Sequence, residues 1–120
     1  MGLSLSEIVQ RINLHIERQK VITSNIANSD TPNYKAKDIN FDKALNQEVN
    51  QIAATHEKHI TGGLEQSGAL ITKKEGAWKD GNNVELNEEV AKMSENQILH
   101  EFYVARFSGY VKKFKQIIKT

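Results

Sequence analysis

The residues with most chemical promise are His56, Glu57, Lys58 and His59. A zinc protease holds two histidines four positions apart on one helix face, with a glutamate between them as general base. Here the histidines are three apart with no third ligand nearby in sequence, so no metal site is expected. The chain has no cysteine, which removes thiolate zinc sites, thiol nucleophiles and disulfides. It also lacks nucleophile-elbow, phosphate-loop, dinucleotide-binding and calcium-loop patterns. Glu85, Glu88 and Glu89 could pair as acid and base, but they stand where a helix is expected to begin, and its positive end favours acids. Lys112, Lys113, Lys115 and Lys119 could meet nucleic acid or acidic lipid; such a run is more often a solvated helix end, and the net charge is only +1. The expectation is no catalytic residue, no cofactor, no metal and no nucleic-acid partner.

At 120 residues the chain is one domain's worth. Its longest apolar run is four residues, 102–105, far short of the ~20 of a membrane span. Neither membrane insertion nor a cleavable leader is expected. The strongest pattern is Leu86, Val90, Met93, Gln97, His100, Val104, Phe107, Val111, Phe114 and Ile118, spaced alternately by four and three. This is a heptad seam. Asn87 is the expected N-cap of a helix over about 88–119, acidic at its start and lysine-rich at its end. Leu5, Ile8, Ile12, His15, Gln19, Ile22 and Ile26 repeat the spacing near the N-terminus. Ser4 with Glu7 forms a capping box there. Asn28 suits the left-handed closing position, Pro32 forbids continuation, and Pro32-Asn33 fits the centre of a type II turn.

The middle is less regular. Phe41, Ala44, Leu45, Val49 and Ile52 indicate a short helix over 41–54. Five of the seven glycines fall between His56 and Asn83, where no period is evident; 69–72 reads as a short strand and Asp80-Gly81 as a turn. The expected fold is all-α: two long terminal helices paired as a coiled coil, a short third helix, and an irregular middle with room for a β-hairpin. Its parts are 1–33, 34–83 and 84–120.

The C-terminal helix is apolar on more than one side. Leu99, Tyr103, Tyr110 and Ile117 lie beside the seam, and Ile98 and Phe102 on a third side, exceeding the ~100° stripe of a helix with one buried face. Two explanations are open: neighbouring molecules cover the excess, or the middle segment folds back over it. The candidate helix–helix assembly residues are Leu5, Ile8, Ile12, Ile22, Ile26, Val90, Met93, Val104, Phe107, Val111, Phe114 and Ile118. His15, Gln19, Gln97 and His100 interrupt the seams and are candidates for a polar layer that fixes register; the alternative is that each seam turns to solvent there.

Residues 24–36, SNIANSDTPNYKA, resemble the signature that ends the first helix in flagellar rod, hook and hook-associated axial proteins. Asn25, Ala27, Asn28, Thr31, Pro32 and Tyr34 match it, and Asn33 stands where the family usually has Gly. Asn tolerates the same backbone conformation. Residues 37–41, Thr55-His56, His59-Ile60, 80–84 and Met93, Glu95, Asn96 and Gln97 look like the small proximal rod members; one of these usually lacks the Asp-Gly-Asn-Asn stretch and is often longer.

The resemblance implies a structural subunit of the flagellar basal body rod, lying in the cell envelope outside the cytoplasmic membrane. Its helices would stack into a hollow, torque-transmitting tube. The implied partners are other copies of itself, other rod proteins, the rod-to-membrane-ring adaptor and the flagellar type III export apparatus. Asn25 to Tyr34 would stop the first helix and turn the chain. The competing readings are the other small proximal rod protein, and a self-contained helical adaptor or chaperone-like module.

Overall fold

The computed structural model describes residues 2–51 and 69–119, the side chains of 47–51 excepted. The His56–His59 cluster and residues 52–54 of the expected short helix lie outside the described residues. Two long helices dominate. Helix α1 (Leu5–Ala27) begins where Ser4 is extended and its Oγ accepts the Glu7 N–H at 3.2 Å. Helix α3 (Leu86–Lys119) has 34 residues, about 51 Å at 1.5 Å per residue. It sets the long axis of a molecule 65 × 30 × 25 Å in extent.

Between them run strand β1 (Lys37–Ile39), helix α2 (Phe41–Gln51) and strand β2 (Leu70–Thr72). Asn40 starts α2: its Oδ1 accepts the Lys43 N–H and its carbonyl the Ala44 N–H. β2 pairs antiparallel with β1 in the register Lys37↔Thr72, Asp38↔Ile71, Ile39↔Leu70. This is a long-range pair rather than a hairpin, because α2 lies between the strands. The core forms where α1, α2 and the strands meet. Leu14, Ile39, Ala44 and Ala69 are buried there, flanked by Val21, Phe41, Leu45 and Leu70.

Two caps differ from the sequence expectation. Asn28 closes α1 with φ −103°, outside the left-handed region. Its side chain does the capping instead, Nδ2 donating to the Ser24 carbonyl at 2.8 Å, so the backbone need not invert. Helix α3 starts at Leu86, which puts Asn87 inside its first turn; the Glu85 carbonyl accepts the Glu89 N–H at 2.9 Å. The preceding residues, Asn82 to Val84, are buried and hydrogen-bonded, and they fix the point of entry.

The stripe of α3 that faces α1 is also displaced from the apolar heptad. Glu89 and Asn96 are buried, and Met93, His100, Tyr103 and Phe107 are half-buried. Leu86, Val90, Gln97, Val104, Phe114 and Ile118 are exposed. Two polar residues hold inner positions because each has partners on α1. A pattern read from apolarity alone therefore shares Met93, His100 and Phe107 with the buried stripe but takes Val90, Gln97 and Val104 where the fold turns Glu89, Asn96 and Tyr103 inward.

Candidate functional site

The exit from α1 is held by asparagine side chains, each using donor and acceptor at once. Asn25 is fully buried. Its Nδ2 donates to the Lys37 carbonyl at 2.7 Å and to Glu89 Oε2 at 2.9 Å. Its Oδ1 accepts the Lys37 N–H at 3.0 Å and Tyr34 Oη at 3.1 Å. One amide thus ties α1 to β1, to the signature turn and to α3. Tyr34 packs back on its own helix, its Oη also 3.3 Å from Ser24 Oγ.

The turn has the geometry its residues call for. Tyr34 N–H reaches the Thr31 carbonyl at 3.3 Å across Pro32 and Asn33, and Asn33 has φ +63°. Thr31 Oγ1 donates to Asn28 Oδ1. Pro32 and Thr31 are exposed, as is Ala27 at the end of the helix.

Asn82 and Asn83, both fully buried, complete the knot. Asn82 Nδ2 donates to the carbonyls of Asn28 and Thr31 at 2.8 and 2.7 Å, while its Oδ1 accepts the Val84 N–H. Asn83 Oδ1 accepts the Ala36 N–H at 2.6 Å, and its Nδ2 donates to the Lys73 carbonyl. Two irregular segments 47 to 54 residues apart are joined through groups that would otherwise lack partners. Gly81 precedes the pair at φ +83°, and a Cβ there would collide with the Asn33 side chain. Asp80-Gly81 does form a turn, the Gly81 N–H reaching the Trp78 carbonyl at 2.8 Å.

An ionic chain runs from this knot along the helix pair. Buried Glu89 lies 3.6 Å from Lys92 Nζ, which also reaches Glu88 at 3.3 Å and Asp38 at 3.8 Å. Arg18 grips both oxygens of Asp38, at 3.0 and 3.3 Å, and approaches Glu95 at 3.5 Å. Burial works against the Lys92 charge, but Glu89, Glu88 and Asp38 outweigh it and hold the ammonium above its ordinary value. Arg18 is raised by the same balance, burial being opposed by Asp38 and Glu95.

Further along lies a polar layer. Asn96 Nδ2 donates to the His15 carbonyl at 2.8 Å and to Gln19 Oε1 at 3.2 Å. This orients the amide, so its Oδ1, 2.8 Å from His15 Nδ1, must accept. The Nδ1–H tautomer of His15 follows. The imidazole stacks on Tyr103 at 5.6 Å and tilts against Phe41 at 4.7 Å. Burial, the largest influence, lowers its pKa; the Asn96 bond opposes this, and Arg18 and His100 add to it. The structure therefore brings His15 and Gln19 together with Asn96, while Gln97 points to solvent one residue on. Gln97 and His100 instead line an open groove of about 420 Å³ with His15, Ile16, Gln19, Lys20 and Asn96.

Of the candidate assembly residues, Ile8 and Ile22 are fully buried within the chain. Ile12, Ile26, Met93, Phe107 and Val111 are half-buried. Leu5, Val90, Val104, Phe114 and Ile118 are 39 to 69% exposed. Sequence reasoning missed Glu89, Asn96, Asn82 and Asn83 as contact residues. The available signal was an asparagine pair beside a turn glycine, where backbone groups need neutral partners that both give and accept.

No group of three or more metal-ligating side chains occurs among the described residues, and no helix there is long and apolar enough to cross a membrane. The fold and its knot define a class: a long antiparallel helix pair whose turn is locked by buried asparagines and whose outer faces stay apolar. A family model described as flagella basal body rod protein matches residues 13–35, the stretch of α1 and turn that holds the knot. Over 105 residues the chain is 34% identical to the flagellar basal body rod protein FlgB of Bacillus subtilis, covering 84% of this chain and 81% of that one. FlgB of Aquifex aeolicus is 32% identical over 90% of this chain and 86% of its own. FlgB of Escherichia coli is 26% identical over 92% and 89%. The chain belongs to the FlgB family of flagellar basal body rod proteins.

Proposed function

We propose that this chain is a structural subunit of the proximal rod of the flagellar basal body, working by assembly and without catalysis. The observation that carries this is the apolar surface that one molecule leaves in water. Leu5, Val90, Val104, Phe114 and Ile118, 39 to 69% exposed, leave roughly 4–8 kcal/mol of burial unmade, at ~1.5–3 for each fully exposed side chain. That rivals a typical domain's whole stability of ~5–15 kcal/mol. Neighbouring rod subunits, copies of this chain among them, cover these faces, while Ile8 and Ile22 hold the helix pair together. The asparagine knot keeps α1 and α3 in one register, as torque transmission through a stack of such pairs requires. Export through the flagellar type III apparatus and docking on the rod-to-ring adaptor complete the assignment.

The test replaces the chain in its own organism with a Val104→Asp/Phe114→Asp variant. The expected result is a normally folded protein by circular dichroism, missing from isolated basal bodies, with swimming lost. Normal swimming by this variant, or absence of the unaltered chain from basal bodies, overturns the reading.

A further inference from the structure

The two strands differ in what their outer edges meet. Ladder bonds run from the Asn40 N–H to the Ala69 carbonyl and from the Lys73 N–H to the Ala36 carbonyl. In an antiparallel pair such bonds recur at every second residue. With Asp38 opposite Ile71, the backbone groups of 69, 71 and 73 face β1, and those of Leu70 and Thr72 face away from it. On β1 the outward groups are taken. The Lys37 N–H and carbonyl both bind the Asn25 amide of α1, and the Ile39 N–H binds Asp38 Oδ1. On β2 no described residue meets the outward N–H or carbonyl of Leu70 or Thr72. Helix α1 therefore lies along the β1 edge, and the β2 edge faces the opposite way.

The side chains around that open edge divide by face, because successive residues of a strand alternate. Ile71 stands on one face, 46% exposed. Thr72 stands on the other, with Lys37 directly across the ladder and Lys74 two residues on. Thr72, Lys37 and Lys74 are exposed. Neither lysine forms an ion pair among the described residues.

We propose that the outer edge of β2 binds an extended segment of a different protein, one that alternates apolar and acidic residues. Such a segment adds a third strand by pairing with the open backbone groups of Leu70 and Thr72. Its apolar side chains lie beside Ile71, and its acids lie on the face of Thr72, within reach of Lys37 and Lys74. Opposite charges on neighbouring strands attract and like charges repel. The same lysines oppose a second copy of β2 as the added strand, because each copy brings the same basic face. The contact is separate from the exposed stripes of α1 and α3.

The probe is a short blocked peptide of alternating valine and glutamate, added to the isotope-labelled full-length chain while amide hydrogen exchange is read by NMR. Saturating peptide is expected to slow exchange at the Leu70 and Thr72 N–H groups about ten-fold or more. Ile71, whose N–H already faces β1, should be unchanged. A valine–lysine peptide of equal length should leave all three unchanged. Methylating the peptide nitrogens that face β2 should abolish the slowing. Thr72→Pro should abolish it at Leu70 with helix content unchanged by circular dichroism, because proline is tolerated where a strand N–H points outward. No slowing by the glutamate peptide, equal slowing by both peptides, or slowing that survives methylation overturns the proposal. Slowing that persists at Leu70 in a folded Thr72→Pro chain overturns it too. So does slowing that appears without peptide as the chain is concentrated, since a second copy is then the occupant. The methylated peptide leaves the protein unaltered, so it decides the matter even where Thr72→Pro does not fold.

Discussion

Replacing Asn25 by Ala removes four hydrogen bonds from a side chain with no solvent exposure. Three of the lost partners are neutral, at about 0.5–1.5 kcal/mol each, and Glu89 is charged, at about 1.5–3 kcal/mol. The sum is roughly 3–7 kcal/mol, a large share of an ordinary domain's stability. With a urea dependence of about 2 kcal/mol per molar, the midpoint should fall by about 1.5–3.5 M. The assay is urea unfolding followed by circular dichroism at 222 nm. Asn25→Asp is the sharper variant, since it keeps the shape but sets a second carboxylate against Glu89, where Nδ2 stood at 2.9 Å. Two adjacent carboxylates cannot both ionise cheaply, so the folded-state pKa of the pair rises above its unfolded value. A group raised in this way contributes more stability at low pH and loses it as pH rises. Asn25→Asp should therefore be closer to the native protein near pH 4.5 than at pH 7.5. An Asn25→Ala midpoint within 0.5 M of native, or an Asn25→Asp deficit that does not shrink on acidification, would refute the role given to this amide.

Asn96→Leu should cost about 2–4 kcal/mol in the same assay, because it strands the His15 Nδ1–H inside the helix pair and removes the two bonds that Nδ2 donates; Gln97→Leu, one residue away on the solvent face, should stay within about 0.5 kcal/mol. Gly81→Ala should destabilise by more than about 1 kcal/mol, because its φ of +83° is unfavourable for Ala and the added Cβ meets Asn33; near-ultraviolet dichroism of neighbouring Trp78 reports the local change. The lowered pKa of His15 means that the unfolded chain takes up its proton first as pH falls. Stability should therefore decline from just above pH 6.5 down to the folded-state pKa and level off below it. His15→Gln should flatten that slope in urea midpoints measured from pH 7.5 to 5.

The ion chain from Glu89 to Glu95 is best understood as orientation. Arg18, Asp38 and Lys92 are partly exposed, and such pairs contribute little net stability when water can screen them. Glu89 differs, being 2% exposed with Asn25 and Lys92 as its partners. Removing either partner would leave a buried carboxylate under-compensated, a far larger penalty than the pair contributes. Register between α1 and α3 is thus enforced by the cost of displacement.

The sequence alone determined whatever depends on near neighbours along the chain. Helix periodicity, the Ser4 cap, the end of α1 ahead of Pro32 and the positive φ of Asn33 are local steric and hydrogen-bonding effects, written in near-consecutive residues. The short helix beginning at Phe41 and the Asp80-Gly81 turn were readable for the same reason. Tertiary structure decided which side of α3 turns inward. That choice depends on whether Glu89 and Asn96 find partners on α1, and a partner 64 or 81 residues away leaves no periodic trace. It likewise decided that 37–39 pairs with 70–72, and that Asn82 and Asn83 hold the turn shut. A polar side chain is hydrophilic in a sequence pattern but can be buried once the fold supplies both its donors and its acceptors.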